Sequence, residues 1–236
     1  MARLLHLLLV TVLAAVVVVG AIVVSSNGGE EEPASSRTAQ PGLTPAEEVA
    51  ALYEGIPQDG VRLGRSDAPA TLVEIADLQC PFCAQYSAQV LPSIVDDYVR
   101  TGKVAYELRI RSFLGRDSVR AAGAAAEAAK EDRMYEFADL FFRNQGLENS
   151  DYADEAFMRE IAGQVEGLDV ERVVAAADDP LSYRAVERGE MFARRIGSTG
   201  TPDFYLRKDG KLTHVVPQGG APADYAAAID AALAGS

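Results

Sequence analysis

The first apolar stretch of the chain differs from all later ones. Residues 7–24 carry no charge, and the run counted from residue 4 would, as a helix, cross the roughly 30 Å hydrocarbon core of a membrane. Arg3 precedes the stretch and three glutamates follow it at positions 30–32. Because basic flanks stay on the cytoplasmic side, we expect residues 1–24 to form a transmembrane signal-anchor. A cleaved signal peptide is the alternative, although no clear small-x-small cleavage site follows Val24.

The segment that follows, about twenty residues long, has no regular pattern of hydrophobic positions. Residues 25–43 are dominated by Ser, Gly, Pro and Glu, and their apolar positions show neither helical nor strand period. A segment of this composition buries too little apolar surface to fold. We expect it to be a flexible linker between the anchor and one folded domain, residues 44–236.

Regular periodicity returns in the folded domain. Residues 70–76 form a short apolar run typical of a buried strand, residues 84–102 have a helical pattern, and residues 103–110 read as a second strand. Pro92 should kink this helix, because proline has no backbone N–H. A strand, a helix and a strand in this order predict a right-handed crossover within a parallel sheet.

The second half of the domain begins with helices. From about residue 112 to residue 181 every periodic segment is helical, and a further helix over residues 180–196 should return to the sheet. Two strands, 203–206 and 212–216, then flank a turn rich in Lys, Asp and Gly, and a last helix follows. The predicted fold class is α/β, with a helical insertion at about 112–181 between a βαβ half and a C-terminal ββα half.

Composition excludes several classes of function. The chain has 22 Lys and Arg against 35 Asp and Glu, a net charge of −13, which argues against nucleic acid as a partner. Two cysteines and two histidines are too few for a disulfide-rich small fold or for a closed zinc site, so we expect no metal. A metallochaperone would also need further soft ligands.

The two cysteines have the spacing of a redox site. Cys80 and Cys83 follow the first long strand, and at the start of a helix their Cα atoms would lie about 5 to 6 Å apart, which a disulfide accepts. At the helix N-terminus, free N–H groups and the helix dipole favour a Cys80 thiolate, and Pro81 suits the first helical position. Cys80 is therefore the expected attacking sulfur and Cys83 the resolving one. A structural disulfide or two inert thiols are the alternatives.

Two segments carry a family resemblance. Asp77-Leu78-Gln79-Cys80-Pro81-Phe82-Cys83 resembles the active-site segment of the DsbA-like branch of the thioredoxin superfamily, and Gly197-Ser198-Thr199-Gly200-Thr201-Pro202-Asp203-Phe204 is similar to its cis-proline segment. The predicted helical insertion matches that branch. The resemblance implies a thioredoxin fold over about residues 61–233, with a cis-Pro202 facing Cys80 and Thr201 contacting the substrate backbone.

Glu74 interrupts the apolar run of the first long strand, where a carboxylate is costly to bury. It stands six residues before Cys80, where thioredoxin relatives keep a buried acid. A desolvated carboxylate has a raised pKa and could take the Cys83 proton through water. The alternative is a glutamate at the sheet margin that reaches solvent. His214 is expected to be an exposed strand residue, and Asp77 to end the strand.

The chain departs from the best-known oxidising members at one position. They carry His between the cysteines, whereas this chain has Phe82, whose side chain cannot donate a hydrogen bond to a thiolate. A less stabilised thiolate makes a less oxidising disulfide. We expect Phe82, with Pro81, to add apolar surface that helps to dock unfolded, reduced chains.

The resemblance therefore implies a membrane-tethered, extracytoplasmic thiol-disulfide oxidoreductase that forms disulfides in exported proteins. Its redox group would be the Cys80–Cys83 disulfide, with no other cofactor. The expected partners are reduced or unfolded exported proteins and a quinone-linked membrane oxidase of the DsbB or vitamin K epoxide reductase-like kind. A disulfide reductase or isomerase, and a non-catalytic thioredoxin-fold chaperone, are the alternatives.

Overall fold

The computed structural model describes residues 43–235, so the predicted signal-anchor and nearly all of the predicted linker lie outside the described residues. Within 43–235, no helix combines the length and the apolar character that a membrane span requires. The elements are, in chain order, α1 (Pro45–Tyr53), β1 (Gln58–Asp59), β2 (Arg62–Leu63), β3 (Thr71–Ala76), α2 (Pro81–Gln89), α3 (Leu91–Ile94), β4 (Ala105–Ile110), α4 (Arg116–Lys130), α5 (Met134–Arg143), α6 (Glu155–Gly163), α7 (Val170–Asp178), α8 (Tyr183–Ile196), β5 (Asp203–Lys208), β6 (Lys211–Val215) and α9 (Pro222–Gly235).

One mixed sheet forms the centre of the fold. Its strand order is β1-β2-β4-β3-β5-β6, and β3 pairs in parallel with β4, Thr71 lying opposite Ala105. The pairs β3–β5 and β5–β6 are antiparallel. All six residues of β3 are buried, since helices cover both faces of a central strand. The predicted α/β fold, with its βαβ unit and C-terminal hairpin, is confirmed.

The helix predicted over residues 84–102 is interrupted. α2 ends at Gln89, α3 follows from Leu91, and a wider π-helical turn, Val95–Val99, completes the segment. Pro92 lies in the first turn of α3, where its missing N–H is not needed. The predicted kink is an interruption of one residue at Val90, and the Ser93 hydroxyl donates to the Val90 carbonyl.

Helices α4 to α8 lie between β4 and β5 along the chain. α4 buries a run of alanines, and small side chains of this kind let neighbouring helices approach closely. α8 then comes directly against the end of β4: a Cβ placed on Gly189 would lie 1.9 Å from the Ile110 carbonyl oxygen. This close packing brings the C-terminal end of α8 to the same edge of the sheet as the end of β3.

Candidate active site

The turn between β3 and α2 is fixed by one buried carboxylate. β3 ends at Ala76, and Cys80 N–H donates to the Asp77 carbonyl at 2.9 Å. The Asp77 side chain accepts four further hydrogen bonds, from Gln79 N (2.9 Å), Ser118 Oγ (2.6 Å), Phe113 N (3.1 Å) and Leu114 N (3.2 Å). Asp77 therefore does more than end the strand, because it joins the cysteine turn to the loop after β4 and to α4.

Cys80 occupies the N-cap of α2, and Pro81 is its first residue. The N–H groups of Cys83 and Ala84 both lie 3.1 Å from the Cys80 carbonyl oxygen, so the first turn is closed. Both cysteines are free thiols; Cys80 is 5% exposed and Cys83 is fully buried. The two sulfurs therefore meet different environments although they are one helical turn apart.

These environments shift the pKa values of the two thiols in opposite directions. The pKa of Cys80 is lowered to about 6. The hydrogen bond from the Cys83 thiol contributes most, burial opposes it, and Thr201 and the N–H groups of Cys83 and Phe82 add smaller contributions that also lower the pKa. Burial raises the pKa of Cys83 well above its usual value, and the hydrogen bond to Cys80 and the charge of Glu74 add to this. Cys80 is the thiolate near neutral pH, and Cys83 keeps its proton.

The loop between α8 and β5 completes the outer side of the site. The Thr201–Pro202 peptide bond is cis, and the Cys80 sulfur lies 3.4 Å from the Thr201 carbonyl oxygen. Thr201 and Pro202 are half-buried, whereas Pro81 and Phe82 are exposed. The structure thus places next to Cys80 the residues that the sequence analysis expects to contact a client.

Glu74 lies on the inner side, in the middle of β3. It is 3% exposed, so the alternative of a glutamate reaching solvent is wrong. The Tyr106 hydroxyl donates to one carboxylate oxygen, Oε2, at 2.5 Å, while the other, Oε1, is buried without a hydrogen-bond partner. Burial raises the pKa of Glu74 to about 7, although the Tyr106 hydrogen bond opposes the shift.

Exposed apolar side chains surround the cysteine turn. Phe82 is 68% exposed, and Phe113 and Leu147 are 43% and 82% exposed. Phe113 is tied to the turn through Asp77, while Gln145, two residues before Leu147, donates to the Leu78 and Cys80 carbonyls at 2.6 and 3.2 Å. The sequence analysis identified only Phe82, because the other two are brought here by long-range hydrogen bonds.

Arg111 is a third residue that sequence reasoning missed. It follows β4, donates to Glu190 of α8 at 2.9 Å and to the Ser198 carbonyl at 3.3 Å, and its guanidinium lies 4.4 Å from the centre of the Phe113 ring. Arg111 therefore links the cis-proline loop to the apolar side chains on the other side of Cys80. The sequence signal that could have identified Arg111 is its position directly after a predicted strand.

His214 lies on β6, as an exposed strand residue. Its Nε2 is 2.7 Å from an Asp203 carboxylate oxygen, and its ring stacks on Tyr205 at 4.8 Å. No group of three potential metal ligands occurs within the residues that the structure describes.

Comparison with known proteins decides the family. The family model described as "Thioredoxin" matches residues 57–218, more than half of the chain. The chain belongs to the thioredoxin family. A "Probable disulfide bond formation protein D" of Bacillus cereus is 27% identical over 147 residues, which cover 61% of this chain and 68% of the relative.

Solved structures of the thioredoxin family agree in fold. BdbD from Bacillus subtilis, in its oxidised form, superposes with a TM-score of 0.65 at 23% identity, covering 75% of this chain and 94% of BdbD. Wolbachia pipientis alpha-DsbA1 superposes with a TM-score of 0.63 at 21% identity, covering 81% and 97%. Taken with the family match and the curated relative, the chain is a DsbA-like protein disulfide oxidoreductase.

The pKa of Cys80 generates the first prediction. In the reduced protein, the rate of Cys80 alkylation by iodoacetamide should rise with pH around a midpoint near 6, because only the thiolate reacts. Below that pH the thiolate is protonated and the rate falls. Cys83 should not react in the folded protein, because it is buried.

Cys83→Ala is the matched variant for this measurement. It removes the hydrogen bond that contributes most to the low pKa of Cys80, so the alkylation midpoint should move upwards. A wild-type midpoint near 9, or an unchanged midpoint in the variant, would contradict the assignment.

Proposed function

We propose that this oxidoreductase introduces disulfides into exported proteins through Cys80 and Cys83. The observation that carries the proposal is the opposed ionisation of the two thiols, since the pKa of Cys80 is lowered and that of Cys83 is raised. A stabilised Cys80 thiolate favours the reduced enzyme, and an enzyme that prefers its dithiol form is an oxidant of other thiols.

The reaction starts from the Cys80–Cys83 disulfide. A client thiolate attacks the Cys80 sulfur, the bond between the two enzyme sulfurs breaks, and Cys83 leaves as a thiolate and gains a proton. A second client thiolate then attacks the client sulfur of the mixed disulfide, and Cys80 leaves as a thiolate. Two electrons pass from the client to the enzyme, and the client keeps a new disulfide.

The remaining site residues have supporting roles in this proposal. Glu74, whose pKa is about 7 and whose charge acts on Cys83, gives the proton to the leaving Cys83 thiolate and takes it back in the reverse step. Thr201 and Pro202, beside the Cys80 sulfur, contact the client backbone. Pro81 and Phe82 offer apolar surface for an unfolded client.

Cysteine variants test the exchange reaction. With a reduced, unfolded secreted protein as client, the wild type should form client disulfides, and Cys80→Ser should lose at least about 100-fold in rate because no other thiol is nucleophilic. Cys83→Ser, offered the oxidised client, should accumulate a mixed disulfide through Cys80. A Cys80→Ser variant that keeps the activity would contradict the mechanism, and one that only protects the client from aggregation would favour the chaperone alternative.

The location of the enzyme is a further part of the proposal. Residues 1–24 anchor the protein in the cell membrane, and the linker over residues 25–43 joins this anchor to the catalytic domain. The catalytic domain lies on the extracytoplasmic side. Re-oxidation then falls to a quinone-linked membrane protein of the DsbB or vitamin K epoxide reductase-like kind. Tethering raises the effective concentration of the two partners for each other.

Cell fractionation tests the location. The full-length chain should sediment with membranes, resist extraction by high salt and be digested by protease added outside intact spheroplasts. Release of a shortened soluble form would support the cleaved signal peptide instead, and protection from external protease would contradict the orientation.

A further inference from the structure

The cis-proline loop, residues 197–202, joins α8 to β5 and is open on its outer side. A Cβ placed on Gly197 or on Gly200 would meet no heavy atom of the described residues within 4 Å, apart from its own chain neighbours. The loop nevertheless keeps the Thr201 carbonyl oxygen 3.4 Å from the Cys80 sulfur. Its position therefore depends on hydrogen bonds to the rest of the domain.

Arg111 reaches this loop from the end of β4. Its Nη1 donates to the carbonyl oxygen of Ser198, a buried loop residue, at 3.3 Å. The backbone N–H of Arg111 donates to the Ala76 carbonyl at 2.7 Å, so Arg111 is also fixed to the last residue of β3. Because the cysteine turn begins at Asp77, Arg111 connects the cis-proline loop to the strand that leads into Cys80.

Glu190 of α8 orients the Arg111 guanidinium. Its two carboxylate oxygens accept from Nε at 2.9 Å and from Nη2 at 3.4 Å, and the two side chains are only 13% and 19% exposed. A two-point contact of this kind fixes the plane of the guanidinium, unlike a single pair at an exposed surface. The pair lies beside the close approach of Gly189 to Ile110, where α8 and β4 are held together.

The Phe113 ring contacts the same guanidinium. The ring centre lies 4.4 Å from the guanidinium carbon of Arg111, within the range of a cation–π attraction. The Phe113 N–H donates to the Asp77 carboxylate, so Phe113 is itself fixed to the cysteine turn. Arg111 thus has three fixed neighbours, a carboxylate, an aromatic ring and a strand end, and its fourth contact is the loop.

We propose that Arg111 is a positioning residue for client binding, which keeps Thr201 beside the Cys80 sulfur by holding the Ser198 carbonyl. The proposal rests on the exchange function proposed above, in which Thr201 contacts the client backbone. Arg111 acts through the loop and takes no part in electron or proton transfer. A guanidinium suits this role because its planar set of donors serves the Glu190 carboxylate and the Ser198 carbonyl at the same time.

Client-dependent kinetics test this role in the full-length chain. The oxidised protein is mixed with increasing concentrations of reduced, unfolded ribonuclease A, and the loss of the Cys80–Cys83 disulfide is followed by acid quenching and thiol labelling. Arg111→Gln should raise the client concentration that gives half the maximal rate by about 5- to 10-fold, because Thr201 is no longer held in place. The rate with dithiothreitol, which has no peptide backbone, should stay within about 2-fold of the wild type.

The pH profile of Cys80 alkylation is a second readout, and it needs no client. After the Cys83 thiol, Thr201 is one of the groups that lower the pKa of Cys80. Arg111→Gln displaces Thr201, so the alkylation midpoint should move upwards. A variant that merely loosened the packing of α8 on β4 would leave this midpoint where it is.

Arg109→Gln is the matched control. Arg109 lies two residues earlier on β4, donates to Glu107 at 2.6 Å and lies 5.3 Å from the centre of the Phe192 ring of α8, so its contacts are with β4 and α8. It should match the wild type in both measurements. Arg111→Lys should recover part of the client affinity, because an ammonium group keeps the charge but lacks the planar fork. Glu190→Gln should raise the half-maximal client concentration as well, and it carries the test where Arg111→Gln fails to fold.

Two results would overturn the positioning role. One is a half-maximal client concentration and an alkylation midpoint that both stay at the wild-type values in Arg111→Gln and Glu190→Gln. The other is an equal loss of rate with client and with dithiothreitol, or the same loss in Arg109→Gln, which indicates a merely structural role. A wild-type chain that oxidises neither the client nor dithiothreitol would instead refute the proposed function itself, while the alkylation midpoint would still report on Arg111.

Discussion

The Cys83 thiol donates a hydrogen bond to the Cys80 sulfur, and it can do so because burial keeps the Cys83 proton in place. The bond requires the first turn of α2, which sets the two residues one helical turn apart. The start of α2 is held in place by Asp77. The buried carboxylate of Asp77 accepts hydrogen bonds from the segment before Cys80, from the loop after β4 and from α4. Removing the burial of Cys83 would therefore lower the pKa of Cys83 and raise that of Cys80.

The same arrangement divides the site into two faces. On the outer face, Phe82, Phe113 and Leu147 offer apolar surface to a polypeptide, and Thr201 lies beside the reactive sulfur. On the inner face, Glu74 lies in a desolvated setting that raises its pKa to about 7. The surface offered to a polypeptide is thus kept apart from the buried carboxyl group, with Cys83 between them.

Much of the fold and of the cysteine site could be predicted from the sequence, because these features depend on short local sequence patterns. The apolar run at residues 70–76, the cysteine spacing and the turn at the β5–β6 hairpin each follow from a few adjacent residues. The contributions of Arg111 and Phe113 could not be predicted, since hydrogen bonds to residues far along the chain define them. The expectation that Phe82 leaves a less stabilised thiolate than a His would stays a prediction. The Phe82 side chain donates nothing, but its own N–H, Cys83 and Thr201 lower the pKa of Cys80.

The central claim is that this low pKa makes the Cys80–Cys83 pair an oxidant. Its reduction potential, measured by equilibration of the full-length chain with glutathione redox buffers, tests that claim most directly. The account predicts a value of roughly −120 to −180 mV, the range of DsbA and protein disulfide isomerase. A value near the thioredoxin range, roughly −270 mV, would contradict it and would identify the chain as a reductase.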